Sequence, residues 1–516
     1  MPEPELKLDD IQGNILAGFN KDHESFLFVN FAEGGDPKGW LAEITPDVAS
    51  TSEVNAFNEL FKAVNQRRGR EGTVTATWMN LAISASGLTK LGVTAEELGS
   101  FSEAFRSGMA ARAAETGDEG ANAPEHWIKP FGSPDVHAVI ILGSDSLADL
   151  DAAALRQIDR LGDHDLRLLY KQDGKVRTDL PGHEHFGFKD GVSQPGIRGF
   201  THPNPTDPDE GQPGQDRLWP GEFVLGYPTQ KKPPPPPVPP PQPPNYEPQP
   251  GGQTSVLATS EVPTEPGPEA VNGPAWAEDG SYLVFRRLRQ DVGSFNAFVS
   301  ETAINEGITT ALMGAKLVGR YKSGCPLERT KDESPDLDPQ IADPSLADPS
   351  LLTEAKINNF EYGNDADGAL VPRAAHIRKS YPRDEATPGG GEADTQTHRL
   401  LRRGIPYGEP YDPGAQTGSP QAGNTAFPDD RGLLFLCYQR SIEDQFELVQ
   451  RIWVDSPNFP QPSDGEDAII SQAKEPRTFT APGLKTSPLS ITQFVTTTGG
   501  EYFFSPSLSA LAKLAS

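Results

Sequence analysis

Short apolar runs and stretches of helical period take turns along residues 1–180. "SFLFVNFA" (25–32) is apolar and β-rich, whereas "VNAFNELFKAVNQ" (54–66) spaces its apolar residues as one face of a helix. "TVTATWMNLAIS" (73–84) returns to a strand pattern, and "GLTKLG" begins a second helical patch. "DVHAVIILGS" (135–144) reads as a strong buried strand, "LADLDAAALRQIDRL" (147–161) as an amphipathic helix, and "DLRLLYKQDG" (165–174) as a further strand. The order β-α-β-β-α-β, with insertions, is that of a ferredoxin-like unit. Between 201 and 275 the pattern collapses: "THPNPTDPDEGQPGQDRLWPG" leads through "PGEFVLGYP" to "KKPPPPPVPPPQPPNYEPQPGG". The proline run predicts a polyproline II segment with no core of its own, a stiff surface insertion or else a ligand for a proline-recognising domain.

From 279 the pattern resumes. "DGSYLVFRRLRQDVGSFNAFV" gives a strand and then a helix, and "AINEGITTALMGAKLVGRY" continues as helix. An acidic, proline-interrupted stretch (332–350) reads as loop. Then come the strand "GLLFLCYQ" (432–439), the helix "IEDQFELVQRIWVD" (442–455) and the strand "EYFFSPS" (501–507), a second ferredoxin-like unit with long insertions. The expected fold class is therefore α+β, with antiparallel sheets and peripheral helices. Residues 1–200 form an N-terminal ferredoxin-like domain, 201–278 a Pro-rich connecting region, and 279–516 a C-terminal ferredoxin-like domain.

Length and composition agree: 516 residues exceed one compact core, and the low hydrophobic fraction, 35 %, reflects the Pro-rich and acidic middle. A net charge of −28 argues against nucleic acid and anionic membrane surfaces as partners. No apolar run approaches the ~20 residues of a transmembrane helix. The start "MPEPELKLDD" lacks the basic and apolar regions of a classical signal peptide. Cytoplasmic is thus the default expectation, although a processed secreted chain would read the same. Cys325 and Cys437, the only cysteines, rule out a disulfide scaffold or thiolate zinc site and read as buried thiols.

The nine histidines show no metalloprotease or zinc-module spacing, and no nucleophile elbow, P-loop or dinucleotide fingerprint occurs. Three stretches stand out. In "HFGFKDGVSQPG" (185–196), Asp190 sits in a turn whose aromatics, Phe186 and Phe188, favour folding inward, which would leave a partly dehydrated acid–base carboxylate. His376, in "PRAAHIRKSYPR", follows two alanines that leave room for a flat group. Arg373, Arg378, Lys379 and Arg383 crowd around it, as suits an anionic cofactor such as haem. Arg402 and Arg403 form a second basic node, from which one arginine turned inward beside Asp190 would make a buried pair. Each stretch taken alone also reads as an ordinary surface turn or helix end.

Together, "GFKDG" (187–191), "AAHIRKSYPR" (374–383) and "LLRRGIPYG" (400–408) resemble the signature blocks of the dye-decolorising peroxidases. "DIQGNILAGF" (10–19), "PGEFVLGYP" (220–228), "DGSYLVFRRLRQDV" (279–292), "GRYKSGCPL" (319–327), "RGLLFLCYQ" (431–439) and "GGEYFFSPS" (499–507) resemble its other blocks, in the same order. The resemblance, strongest to the long-chain branch of bacteria and fungi, implies one haem b per chain between two ferredoxin-like sheets, held mostly by the C-terminal domain. It makes His376 the proximal iron ligand, Asp190 the distal acid–base residue and Arg402 the distal arginine. Leu433 and Phe435 become distal apolar residues and Arg383 a propionate partner. The carboxylate behind the proximal histidine falls in "GEDAIIS" (465–471), at Asp467 or alternatively Glu466. Tyr381 stands where the family block has Asn, which leaves one propionate contact open.

The implied reaction is oxidation of bulky aromatic substrates (dyes, phenolics, lignin-related compounds) by hydrogen peroxide through a ferryl–porphyrin radical, with Mn²⁺ an open alternative reductant. A carboxylate base in place of a histidine favours acid pH. Tyr407 and Trp453 match candidate surface radical sites, although ordinary packing explains either as well. The rival from another class is a haem carrier on the same scaffold, which would need the histidine but not Asp190 and Arg402.

Overall fold

In a computed structural model, residues 2–68, 74–233, 262–332, 342–414 and 430–516 are described; most of the proline run lies outside them. The predicted elements of the N-terminal half are present. They are β1 (His23–Asn30), α1 (Thr51–Arg68), β2 (Thr77–Ile83), β3 (Ala138–Ser144), α2 (Leu147–Asp163) and β4 (Arg167–Lys175). Helix α2 forms where its pattern requires: Ser146 caps its start by accepting from the Asp149 N–H, and Leu150, Ala153, Ala154 and Leu161 form its buried face.

The C-terminal half repeats the plan with β5 (Ser281–Gln290), α3 (Val292–Glu306), α4 (Thr310–Val318), the short helix α5 (His376–Ser380), β6 (Leu401–Arg402), β7 (Ile405–Tyr407), β8 (Gly432–Gln439) and β9 (Val495–Ser505). The helix expected to run through 303–321 breaks instead at Gly307, whose φ of +75° closes α3 in a left-handed cap. The helix expected at 442–455 is wound as two π-helical segments, Ile442–Glu447 and Val449–Val454, with the Asp455 N–H reaching five residues back to the Gln450 carbonyl.

Within each half the strand order is that of a ferredoxin-like sheet. The N-terminal half runs β4-β1-β3-β2, and the C-terminal half runs β9-β5-β8-β6 with β7 also on β8. The Phe504–Ile83 pairing of β9 with β2 joins them into one nine-stranded antiparallel sheet. Folded over, its two halves face each other across an apolar core. Phe285 of β5 lies 5.5 Å from Phe26, 5.0 Å from Phe28 and 5.6 Å from Phe131, ring centre to ring centre. Burying such rings contributes about 2–3 kcal/mol each, so the two halves form one hydrophobic unit.

Strand alternation then decides the other face. On β8, Leu434 and Leu436 are buried in this shared core, while Leu433 and Phe435 point outward and stay part-exposed. The cavity they face lies between the outer surface of the C-terminal half-sheet and the helices covering it, not in the filled space between the two sheets. The connecting region is no slack linker where described: Leu218, Trp219, Phe223, Val224 and Leu225 are buried, and Glu222 pairs with Arg440 at 3.0 Å.

Candidate active site

The cavity encloses about 570 Å³. On its helical side, α5 begins at His376, after Ala374 and Ala375, both fully buried. The His376 Nδ1 lies 2.8 Å from Asp467 Oδ2. A carboxylate only accepts, so Nδ1 carries a proton, and in the neutral imidazole the Nε2 lone pair is the one left for a metal. Asp467 is wholly buried, and its Oδ1 accepts from the Ile469 and Ile470 N–H groups at 2.7 and 2.9 Å. Burial disfavours charge on both partners, but mutual attraction outweighs it, raising the His376 pKa and lowering that of Asp467. Glu466 faces away, accepting from the Thr478 N–H at 2.8 Å, so the alternative falls to Asp467.

On the sheet side, Arg402 closes β6 beside Leu433 and Phe435. Its Nη2 donates to the Ser193 carbonyl at 2.7 Å, and its Nη1 stands 3.8 Å from Asp190 Oδ1. The turn carrying Asp190 folds inward as its aromatics require: Phe186 is buried with its ring 4.3 Å from that of Phe295, and Phe188 is buried beside it. The pair is part-exposed, 32 % for Arg402 and 35 % for Asp190, and not buried as expected; both residues line the cavity. Gly191 adopts φ +68°, although an added Cβ would meet nothing within 4 Å, so the turn needs glycine for its backbone and not for space. Glu184, which sequence reasoning missed, anchors the turn by accepting from the Phe186 and Phe188 N–H groups, both at 2.8 Å.

Of the four basic residues around His376, only Arg383 lines the cavity. Arg373 pairs with Glu385 and Asp464, Arg378 is buried against Asp365 and Glu385, and Lys379 donates to the Ser456 and Phe459 carbonyls. Arg383 donates to the Asn358 and Phe360 carbonyls, both at 3.0 Å, with its guanidinium 4.1 Å above the Phe360 ring. Arg320, also missed, lines the same cavity and donates to the Gly324 and Ile357 carbonyls. Among the described residues neither arginine is in an ion pair. Burial and then the Arg383 charge lower the Arg320 pKa. Burial opposes the Arg383 charge, but attraction to its neighbours, Glu361 and Asp216 among them, outweighs it and raises its pKa, so that cation is partly offset; with neither arginine in an ion pair, the two can still receive an anion.

The relay candidates are not surface groups. Tyr407 is 2 % exposed and points into the shared core with Arg287 4.1 Å above its ring; its neighbours Ile405 and Pro406 form the cavity wall. Trp453, 3 % exposed, stacks on Phe459 at 5.2 Å and meets the edge of His398 at 5.5 Å. His398 does line the cavity, so Trp453 stands one residue behind its wall. The π-winding brings Phe446, Val449 and Gln450 of that helix to the cavity. No cluster of three or more potential metal ligands is found among the described residues.

A carboxylate-anchored imidazole facing the cavity, arginines outside any ion pair for an anionic periphery, apolar walls and a facing Asp–Arg pair fit haem, and define the class as haem-dependent peroxidase. Comparison with known proteins agrees. Residues 10–178 match the DyP dimeric alpha+beta barrel domain, and residues 264–461 match the Dyp-type peroxidase C-terminal domain. The dye-decolorizing peroxidase msp1 of Mycetinis scorodonius is 32 % identical over 98 % of this chain and 87 % of its own length. The multifunctional dye peroxidase DyP2 of an Amycolatopsis species is 29 % identical over 99 % and 97 %. Among solved structures, a variant of the Pleurotus ostreatus dye-decolorizing peroxidase has a TM-score of 0.77 at 29 % identity, covering 99 % of this chain and 100 % of that one. Another dye-decolorizing peroxidase, solved with 2,6-dimethoxyphenol, has a TM-score of 0.73 at 30 % identity, covering 99 % and 100 %. The chain belongs to the dye-decolorizing peroxidase family and is a haem peroxidase.

Proposed function

We propose that this chain binds one haem b through His376, with Arg383 and Arg320 receiving its carboxylates, and uses hydrogen peroxide to oxidise dyes and phenols. The phenol-bound relative supports the substrate class. Non-covalent attachment is supported by the cysteines: Cys325 and Cys437 are both buried, and neither lies in a C-x-x-C-H stretch. Bound haem supplies the iron that accepts peroxide and the oxidising equivalents that peroxide leaves.

The chain's own part is to orient and to move a proton. Asp467 fixes the His376 ring and directs Nε2 into the cavity. Leu433 and Phe435 keep water from the sheet-side wall. Asp190 takes the proton from the peroxide oxygen that enters the site and returns it to the oxygen that leaves as water. Arg402, tethered through Nη2 to Ser193, places its second nitrogen beside Asp190 and opposes charge on the departing oxygen.

The observation that carries this reading is the Asp190–Arg402 pair lining the same cavity as His376, whose ring Asp467 holds from behind the wall. A haem carrier needs His376 and Asp467 and not the Asp190–Arg402 pair. The test is reconstitution with haem. His376→Ala is expected to lose the wild-type Soret band, and Asp190→Asn to keep it while reacting with peroxide about 100-fold or more slowly. Normal spectra in the first variant, or wild-type peroxide kinetics in the second, would overturn the assignment.

A further inference from the structure

Tyr381 carries a hydrogen-bond system that the peroxide reaction does not use. Its ring lines the cavity a few residues beyond α5, and its hydroxyl donates to Asp216 Oδ2 at 2.6 Å. Asp216 comes from the connecting region and is itself paired with Arg399 Nη1 at 3.1 Å. Arg399 lies 3.6 Å above the centre of the Tyr381 ring, and Arg383 lies 5.4 Å from it. The Asp216 side chain is 23 % exposed, so the far end of this system opens outward while the phenol faces the cavity.

We propose that Tyr381 is an oxidisable relay residue, with Asp216 as its built-in proton acceptor, through which reductants too large for the cavity deliver electrons. The inference rests on the haem peroxidase reading above. One electron leaves the Tyr381 phenol for the oxidised cofactor as the phenolic proton crosses to Asp216 Oδ2, giving a neutral phenoxyl radical and a carboxylic acid. An external aromatic reductant then returns one electron, and the proton goes back from Asp216 to the phenolate oxygen. Atoms and charge balance over the cycle.

Three physical features support this. Burial, and then the Asp216 charge, push the Tyr381 pKa upward, so the phenol is protonated at working pH and must shed its proton on oxidation. A carboxylate already in hydrogen-bond contact removes the need for water to take that proton. The guanidinium over the ring attracts its π-face and makes the electron harder to remove. The radical, once formed, therefore remains a strong oxidant toward phenols and dyes. Tyr407 and Trp453 compare poorly: the first is off the cavity wall, and the second has no carboxylate partner among its described contacts.

The test uses full-length holoprotein of wild type, Tyr381→Phe and Asp216→Asn. Each is first checked for haem uptake by titration of the apoprotein, which both conservative variants should match within about twofold. Peroxide is then added, followed by freeze-quench electron paramagnetic resonance and by spin trapping with mass-spectrometric mapping of the adduct. Wild type should give a tyrosyl signal and an adduct at Tyr381. Tyr381→Phe should lower the signal at least tenfold, and Asp216→Asn should slow its appearance and remove its solvent deuterium isotope effect, which a purely structural role would leave unmoved. Wild type that takes up haem and consumes peroxide without an adduct at Tyr381, or an undiminished signal in Tyr381→Phe, overturns the relay and leaves the peroxidase reading intact. Failure of wild type to consume peroxide overturns both.

Discussion

Replacing Asp467 with Asn sets two hydrogen-bond demands against each other. The carboxylate serves both at once: Oδ2 accepts from His376 Nδ1 and Oδ1 accepts from the Ile469 and Ile470 N–H groups. An amide has one oxygen and one NH₂ in nearly the same shape. With the oxygen toward the backbone, the NH₂ meets Nδ1 and forces the proton to Nε2, the atom that should face iron. With the oxygen toward His376, the NH₂ confronts two buried N–H donors that lose their acceptor. Hydrogen bonds to a charged group are worth about 1.5–3 kcal/mol, and a buried donor left without an acceptor costs a similar amount. Either arrangement thus costs the haem-binding form about 1.5–3 kcal/mol, or 10- to 100-fold in haem affinity, the range typical when the partner of a metal-bound histidine is lost. Haem titration of the apoprotein by Soret absorbance measures this directly. Glu466→Gln is the matched control, because Glu466 serves Thr478 and not His376, and its haem affinity should stay within about twofold of wild type. Wild-type affinity in Asp467→Asn, or an equal loss in Glu466→Gln, would refute the reasoning.

Arg402→Leu removes both the Ser193 tether and the charge beside Asp190, and should slow the peroxide reaction by about 100-fold or more in stopped flow; a wild-type rate removes Arg402 from the distal machinery. Trp453→Phe keeps an aromatic ring stacked on Phe459 while removing the oxidisable indole. With Tyr381 as the relay, steady-state assays should show bulky-dye turnover and the peroxide reaction both within about twofold of wild type, and a sharp loss of dye turnover alone would move the relay to Trp453. Glu24 is buried, and desolvation pushes its pKa up to about 8, against the weaker opposing effect of Arg403. The folded chain therefore holds a proton that the unfolded chain releases, and stability falls as pH rises from the ordinary carboxylate range toward 8. Glu24→Gln should cancel that slope and raise stability by about 2–5 kcal/mol near pH 8.5 while changing little at pH 4, read from urea midpoints. An unchanged pH slope counts against a buried, protonated Glu24.

The local sequence determined what local physics determines. Apolar alternation and helical period located β1, β3, β5, β8 and α2, because burying one face is demanded wherever those residues sit. Two such sets in β-α-β-β-α-β order implied the doubled α+β plan, and the blocks around Asp190, His376 and Arg402 implied the peroxidase chemistry. What the sequence left open was decided by contacts between distant residues. Asp467 and Glu466 are adjacent acids, and only the packing of their loop against His376, 91 positions away, separates them. The four cations around His376 look alike in sequence, yet carboxylates hold Arg373 and Arg378, the Ser456 and Phe459 carbonyls hold Lys379, and only Arg383, itself held by the Asn358 and Phe360 carbonyls, lines the cavity. The Tyr381–Asp216 bond spans 165 positions and had no sequence signal at all. The cavity's own position came from which face of β8 the N-terminal sheet covers. Propensity and pattern act over a few residues, whereas charge pairing and burial are settled by whatever the folded chain brings within about 4 Å, and that is known only once the two halves have closed on each other.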